Sequence, residues 1–243
     1  MSDLELLALE METCLVMTAT GRFARENSPD ENHIGPRVAV WGCGEGVVGG
    51  VRADVDEALA HRVFDFIATA PPWTVTSRLP PWIGALAALV GVRRAALGGG
   101  PAYILPNDAP RSPGVRIVQS GGDEAEAMLA RFAAEGMPPA LAEAGYVDTD
   151  ELWPPWCAAM VGDEVAALCC AARLGARGAE AGLYTFPAFR GQGLGAAVTA
   201  AWSAHPALAD KTLFYSTAFT NRSSQRVTQR LGLRQIGASA RID

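Results

Sequence analysis

The sequence is poor in the residues that most directly announce a site. It contains 3 histidines and 5 cysteines in 243 residues. His33, His61 and His205 share no spacing suited to a metal or a catalytic triad, which leaves them surface or capping roles. Cys14, Cys43, Cys157, Cys169 and Cys170 are odd in number and include no CxxC pair. The adjacent Cys169 and Cys170 fall in a predicted strand, where neighbouring side chains point to opposite faces. No metal is expected, and the five read as reduced packing residues of a cytoplasmic protein. Long hydrophobic runs are missing as well. Stretches such as "VAALCCAA" (165–172) fall far short of the roughly 18 residues that read as a membrane span, so no membrane partner is expected. Basic charge is outweighed, with 20 Lys and Arg against 26 Asp and Glu and a net charge of -6. That balance argues against a nucleic-acid partner, whose binding draws on Lys and Arg at phosphates. Asp3, Glu5 and Glu10 stand where a secretory signal carries positive charge.

Apolar material is plentiful, at 49% of the chain, and the length fits two domains. The Gly/Pro-rich stretch 98–120, with a short strand at 102–105, marks a boundary near residue 112. The predicted division is an N-terminal α/β domain over 1–112, structural or acceptor-binding, and an α+β domain over 113–243. In the first, a helix opens the chain, 21–37 reads as a polar loop, "RVAVWG" as a strand, and 54–69 as an amphipathic helix. In the second, a strand at 115–119 precedes a helix at 123–136 with an acidic start and a glycine stop. Two strands follow around the turn Gly162-Asp163-Glu164, then a strand at 179–187 and a helix at 193–204. A strand at 212–218, a helix from Asn221 to Gly232 and a short last strand in "RQIGASARI" complete the order.

The stretch "FRGQGLGAAVTAAW" (189–202) puts three glycines in five positions directly before a helix. Leu194, Ala197, Val198, Ala201 and Trp202 line one face of that helix. Its first turn has unpaired N–H groups and the positive end of the helix dipole. Glycines there let an anion approach the backbone itself, so the stretch reads as a phosphate or pyrophosphate cradle. A P-loop would need GxxxxGK[ST], and neither the Lys nor the Ser/Thr is present. A dinucleotide fingerprint is matched formally by "GQGLGA" with Asp210 downstream. Only about 50 residues follow, however, too few for the rest of a doubly wound sheet.

"YTFPAFRGQGLGAAVTAAW" resembles the acyl-CoA-binding signature of the GCN5-related N-acetyltransferases (GNAT), [QR]-x-x-G-x-[GA], through Arg190, Gly193 and Gly195. "NRSSQRVTQRLGL" resembles that family's second signature through Asn221, Ser224, Val227, Gly232 and Leu233. The resemblance covers roughly 114–243 and implies the GNAT fold, a mixed and mostly antiparallel sheet flanked by helices. The N-terminal half then reads as a degenerate second copy or an unrelated lid.

The resemblance further implies acetyl-CoA as cofactor and an amine-bearing acceptor as partner, with a homodimer left open. Backbone N–H groups of Tyr184, Thr185 and Phe186 would hold the thioester carbonyl, and those of Gly191, Gln192, Gly193, Leu194, Gly195 and Ala196 the pyrophosphate, beside Arg190. Asn221, near Ser224, either contacts the pantetheine or caps its helix. Arg222, Arg226 and Arg230 either draw a phosphate or form a solvated helix face. Direct acyl transfer needs a base for the amine proton and an acid for the leaving thiolate. The family's usual tyrosine acid is replaced here by Thr228. Tyr215 and Tyr184 are the candidate acids and Glu180 the candidate base, each with a structural alternative. The segment 137–156 is the expected acceptor wall. The Pro-Pro-Trp sequences ending at Trp73, Trp82 and Trp156 read as pocket walls or core staples. Two functions stand: an N-acetyltransferase, or a non-catalytic acyl-CoA-binding or sensing module.

Overall fold

The computed structural model describes residues 1–29, 32–92, 97–110 and 114–243. Helix α1 (Asp3–Cys14) begins at a capping box in which Ser2 and Glu5 satisfy each other's backbone N–H groups. A two-stranded ribbon, β1 (Leu15–Met17) and β2 (Phe23–Glu26), follows it, so the segment expected as a polar loop contains a strand. Strands β3 (Val38–Cys43) and β4 (Gly46–Val51) form a hairpin, then α2 (Glu57–Thr69), capped by Asp56, α3 (Ile83–Leu89) and β5 (Leu97–Leu105). Next come β6 (Arg116–Gln119), α4 (Asp123–Glu135), α5 (Pro139–Glu143), β7 (Trp156–Val161), β8 (Glu164–Leu174) and β9 (Gly178–Thr185). Helix α6 (Leu194–Ser203), strand β10 (Thr212–Ser216), helix α7 (Arg222–Leu231) and strand β11 (Arg234–Ile242) end the chain.

Among the described residues nine strands form one sheet in the order β4-β3-β11-β5-β10-β9-β8-β7-β6. The expected join near residue 112 lies outside the described residues, but the strand order crosses it. Strand β5, from before it, sits between β10 and β11 from after it. The two halves therefore do not form separate sheets. The short strand expected at 102–105 runs from Leu97, and the last strand is nine residues long because both its edges are paired, with β3 and with β5. Gly100 makes this possible: a Cβ there would lie 1.6 Å from the Thr217 carbonyl oxygen. The triplet that reads as a linker is a strand crossed closely by other backbone.

All pairings in the large sheet are antiparallel except that of β9 with β10. These two are joined through α6, the crossover that parallel strands require. Their register covers Gly178–Thr212, Ala179–Leu213 and Glu180–Phe214 and stops there. Beyond it β9 continues beside β8 to Thr185, while β10 follows β5, so a gap opens between them.

Helices cover both faces. The first face carries α1 over Phe214, Trp41 and Ile236, and α4 and α5 over Leu168, Cys170 and Phe186. The second carries α6 over Ala167, Cys169 and Leu213, and α2 and α3 over Val40, Ala238 and Ile242. Every residue of α6 is buried, as suits a helix apolar all round. Trp202 is fully buried and donates its indole N–H to the Pro155 carbonyl at 2.8 Å. Trp73 and Trp156 are 2% exposed and packed in the core, while Trp82 packs edge-on to Trp73 at 6.1 Å and the first two Pro-Pro-Trp sequences wall a cleft of about 460 Å³. His205 accepts from the Ala207 N–H at 3.2 Å, a capping role. The five cysteines are buried and form no disulfide among the described residues.

Candidate active site

The glycine loop sits where the gap between β9 and β10 ends. Gly191 and Gly193 have φ of 82° and 84°, left-handed conformations that a side chain would strain. Gly193 is the N-cap of α6 and no side chain caps the helix, so the first-turn N–H groups are without intrahelical acceptors. They face a cleft of about 490 Å³ lined by Thr185, Arg190, Gly191 and Gly193 through Ala196 on one side and by Arg226, Val227 and Arg230 of α7 on the other. A Cβ at Gly193 would lie 2.2 Å from Arg230 Nη1, so that guanidinium lies directly over the loop. Arg226 and Arg230 are exposed and add two positive charges to the positive end of α6. Arg222 and Gln192 do not line the cleft.

Strand alternation decides which amides of β9 face the gap. Phe186 N–H donates to the Ala166 carbonyl at 3.0 Å. In an antiparallel pair only alternate residues exchange bonds with the neighbour, so Tyr184, opposite Leu168, also turns its N–H to β8. Thr185 and Leu183 turn theirs to the gap. Of the three expected carbonyl-binding amides, Tyr184 and Phe186 are therefore spent on the sheet, and Leu183 takes a place beside Thr185. The Thr185 carbonyl, on the same edge, accepts from Arg190 Nε at 3.1 Å.

The second signature has a structural role that its spacing explains. Asn221 Oδ1 accepts the Ser224 N–H at 3.1 Å and caps α7. One turn in, Ser224 Oγ shares a 2.7 Å hydrogen bond with Tyr215 Oη and so ties the helix to β10. Neither Asn221 nor Ser224 lines the cleft. Tyr215 is 2% exposed, and burial pushes its phenol up to about 12 against the opposing bond from Ser224. It therefore holds its proton at neutral pH. Thr228 is buried and donates to the Gln225 carbonyl at 2.8 Å, which occupies its hydroxyl within the helix. Tyr184 lies on the first face, edge-on to Phe186 with ring centroids 5.0 Å apart.

Glu180 closes the inner end of the gap, at the last paired level of β9 and β10. Its Oε1 accepts from Ser216 Oγ on β10, and its Oε2 from the Cys14 thiol of α1 at 3.6 Å. The structure thus brings Glu180 next to the N-terminal helix, a contact between distant parts of the sequence that no local spacing reveals. Strand β9 joins the two ends of this arrangement: Thr185 lines the cleft and Glu180, five residues earlier, stands about 17 Å along an extended strand.

Residues 162–242 match the family model described as FR47-like protein. The matched segment contains both signatures and the parting of β9 from β10, and so supports the resemblance to the GNAT superfamily over that part of the chain. Among solved structures, a GNAT-family protein from Novosphingobium aromaticivorans is 22% identical over 60% of this chain and 63% of its own, with a TM-score of 0.41. A GCN5-related N-acetyltransferase from Kribbella flavida is 16% identical over 66% and 62%, at 0.44. An acetyltransferase from the GNAT family of Colwellia psychrerythraea is 14% identical over 98% and 94%, at 0.45. The chain thus spans about three fifths of the length of the first two. No curated protein matches the sequence. Among the described residues no helix is long and apolar enough to cross a membrane, and no His/Cys/Asp/Glu group is placed to hold a metal.

Proposed function

We propose that the protein is an N-acyltransferase that takes its acyl group, acetyl in the simplest case, from acyl-CoA and passes it to an amine. The observation that carries this reading is the uncapped N-terminus of α6, with Arg226 and Arg230 across a cleft from it, at the mouth of a gap whose inner end is Glu180. Acyl-CoA, when bound, supplies a thioester already activated for attack. The residues fit it: N–H groups from Gly193 to Ala196 and the two arginines suit its phosphates, and a narrow gap suits an arm threaded between strands. Leu183 and Thr185 point N–H groups at the gap, where they would stabilise negative charge developing on a carbonyl oxygen.

The acceptor enters protonated, since an alkylamine near neutral pH is charged, and it must lose that proton before its lone pair can attack. Glu180 is the carboxylate in position to receive it. As the C–N bond forms the C–S bond breaks, the sulfur leaves with a proton, and the nitrogen, which keeps one hydrogen in the amide, releases its second proton to solvent to restore the donor. Tyr215, protonated and tied to Ser224, is the donor assigned here. A second reading, acyl-CoA binding without turnover, is favoured by the internally bonded Thr228 and the deep burial of Tyr215.

Calorimetric titration with acetyl-CoA tests the common part. Both replaced side chains in Arg226→Glu/Arg230→Glu are exposed, so the variant keeps its fold and should bind about ten- to a hundredfold more weakly, the worth of one or two charge-assisted contacts. Equal binding by the variant, or none by the wild type, sinks the cradle. Thiol release over a panel of primary amines then separates the two readings.

A further inference from the structure

On the first face of the sheet, between α1 and strands β3, β8, β9, β10 and β11, lies a chamber of about 220 Å³. Its charged groups are Glu10 from α1, Glu26 from β2, Arg173 from β8, Glu180 from β9 and Arg241 from β11. Arg173 stands opposite Glu180 because β8 has an extra residue between Ala171 and Arg173, a bulge that re-aims the side chain. Arg173 Nη2 and Arg241 Nη1 each lie 2.9 Å from Glu26 Oε1, while the buried Arg173 Nε has no hydrogen-bond partner among the described residues. His33 Nδ1 lies 2.7 Å from Glu26 Oε2.

Two carboxylates are left. Glu180 accepts from Ser216 and Cys14. Glu10 is 1% exposed, and its Oε2 has no hydrogen-bond partner among the described residues. A buried carboxylate oxygen without a donor is costly, so one from a ligand would be strongly held. Three carboxylates against two guanidiniums leave one net negative charge when all are ionised. The volume corresponds to about seven waters at roughly 30 Å³ each, enough for a ligand of a few heavy atoms.

We propose that this chamber binds a small primary amine in its singly charged ammonium form, with Glu10 Oε2 accepting from the ammonium and Glu180 sharing its charge. That the ligand is the acceptor of the transfer rests on the reading above; that the chamber holds a cation does not. A zwitterion fits less well, because Glu26 already neutralises charge on both guanidiniums and leaves its carboxylate the single unpartnered N–H of Arg173 Nε. Through Glu10 the N-terminal half then recognises the acceptor directly.

Calorimetry with the full chain at neutral pH tests this using butylamine, 1-butanol as its neutral counterpart and 4-aminobutyrate as its zwitterionic one. Butylamine should bind, the other two about tenfold or more weakly, and Glu10→Gln should lose about tenfold for butylamine while binding acetyl-CoA as before. Absent butylamine binding, equal binding of 1-butanol, tighter binding of 4-aminobutyrate, or an unchanged affinity in folded Glu10→Gln each overturns the proposal. Because the ligand series is read on the wild type, it remains decisive if the variant fails to fold. Butylamine binding as described with no acetyl-CoA binding would leave the chamber standing and remove the transfer reading. Acetyl-CoA binding without butylamine would do the reverse.

Discussion

A carboxylate held in that chamber should cost the empty protein stability, and replacing Glu10 with glutamine should recover it in a pH-dependent way. Burial, and then the charge of Glu180, push the Glu10 carboxyl well above 4.5, against an opposing bond from Trp41. In the unfolded chain it titrates near that ordinary value. Between the two, the folded protein holds a proton that the unfolded chain has released, so wild-type stability falls as pH rises across the window. The slope approaches about 1.4 kcal/mol per pH unit, a large share of a net stability of about 5 to 15 kcal/mol. The glutamine side chain is nearly isosteric with the protonated acid and does not titrate. Urea unfolding of both proteins from about pH 5 to about pH 8 should therefore show nearly equal stability at the acid end and a widening advantage for Glu10→Gln above it. The advantage levels off once the folded carboxyl has ionised. A gap that stays constant with pH, or narrows as pH rises, would refute the assignment of Glu10 as an uncompensated buried acid.

Three further perturbations separate catalysis from packing. Glu180→Gln should lower kcat/KM for an accepted amine by about 10²- to 10⁴-fold, the usual worth of a positioned base, with acetyl-CoA affinity preserved in calorimetry; an undiminished rate removes Glu180 as the base. Tyr215→Phe breaks the 2.7 Å bond to Ser224 and should cost about 1 kcal/mol in urea melts. Ser224→Ala should cost about the same, so a much larger loss of turnover in Tyr215→Phe alone identifies the phenol as the proton donor, and equal losses identify an anchor. Gly100→Ala places a methyl 1.6 Å from the Thr217 carbonyl oxygen and should destabilise by about 3 kcal/mol or more, the upper end for overpacking, because the obstacle is backbone. A shift under about 1 kcal/mol would mean that β5 and the chain after β10 separate easily.

What could be read in advance is what short-range chemistry encodes. Helix α6 and its loop were legible because an uncapped helix start, alternating glycines and an apolar face occur within fourteen residues of "FRGQGLGAAVTAAW". The start of α7 was legible for the same reason, since Asn221 and Ser224 are one turn apart. Strand β5 was largely missed. Gly98 to Gly100 carry the composition of a linker, and the small residues are required by backbone more than a hundred residues away, that of Ser239 and Ala240 at Gly99 and that of Thr217 and Ala218 at Gly100. Of the amides expected at a thioester carbonyl, Thr185 alone turns its N–H away from β8, with Leu183 as its companion. Which of two alternating sets faces the gap depends on the pairing of Phe186 with Ala166, and composition does not encode that register.

The acceptor wall shows the same limit from the other side. A search confined to 137–156 assumes that acceptor-binding residues belong to the half of the chain that carries the signatures. The sheet removes that assumption, because inserting β5 between β10 and β11 brings β3 alongside β11 and puts α1 over β9. Glu10 looks, in sequence, like one acid among several in an amphipathic helix. It falls at i, i+3 and i+4 from Leu6, Leu7, Thr13 and Cys14, all buried, which is the face such a helix turns inward. A charged residue on that face contradicts the pattern, and it is tolerated only where something other than apolar packing meets it. In the chamber beneath α1 that something is a space bounded by Glu180 and Arg173, which makes the break in helical patterning at Glu10 a local trace, in the N-terminal half, of the acceptor site we propose.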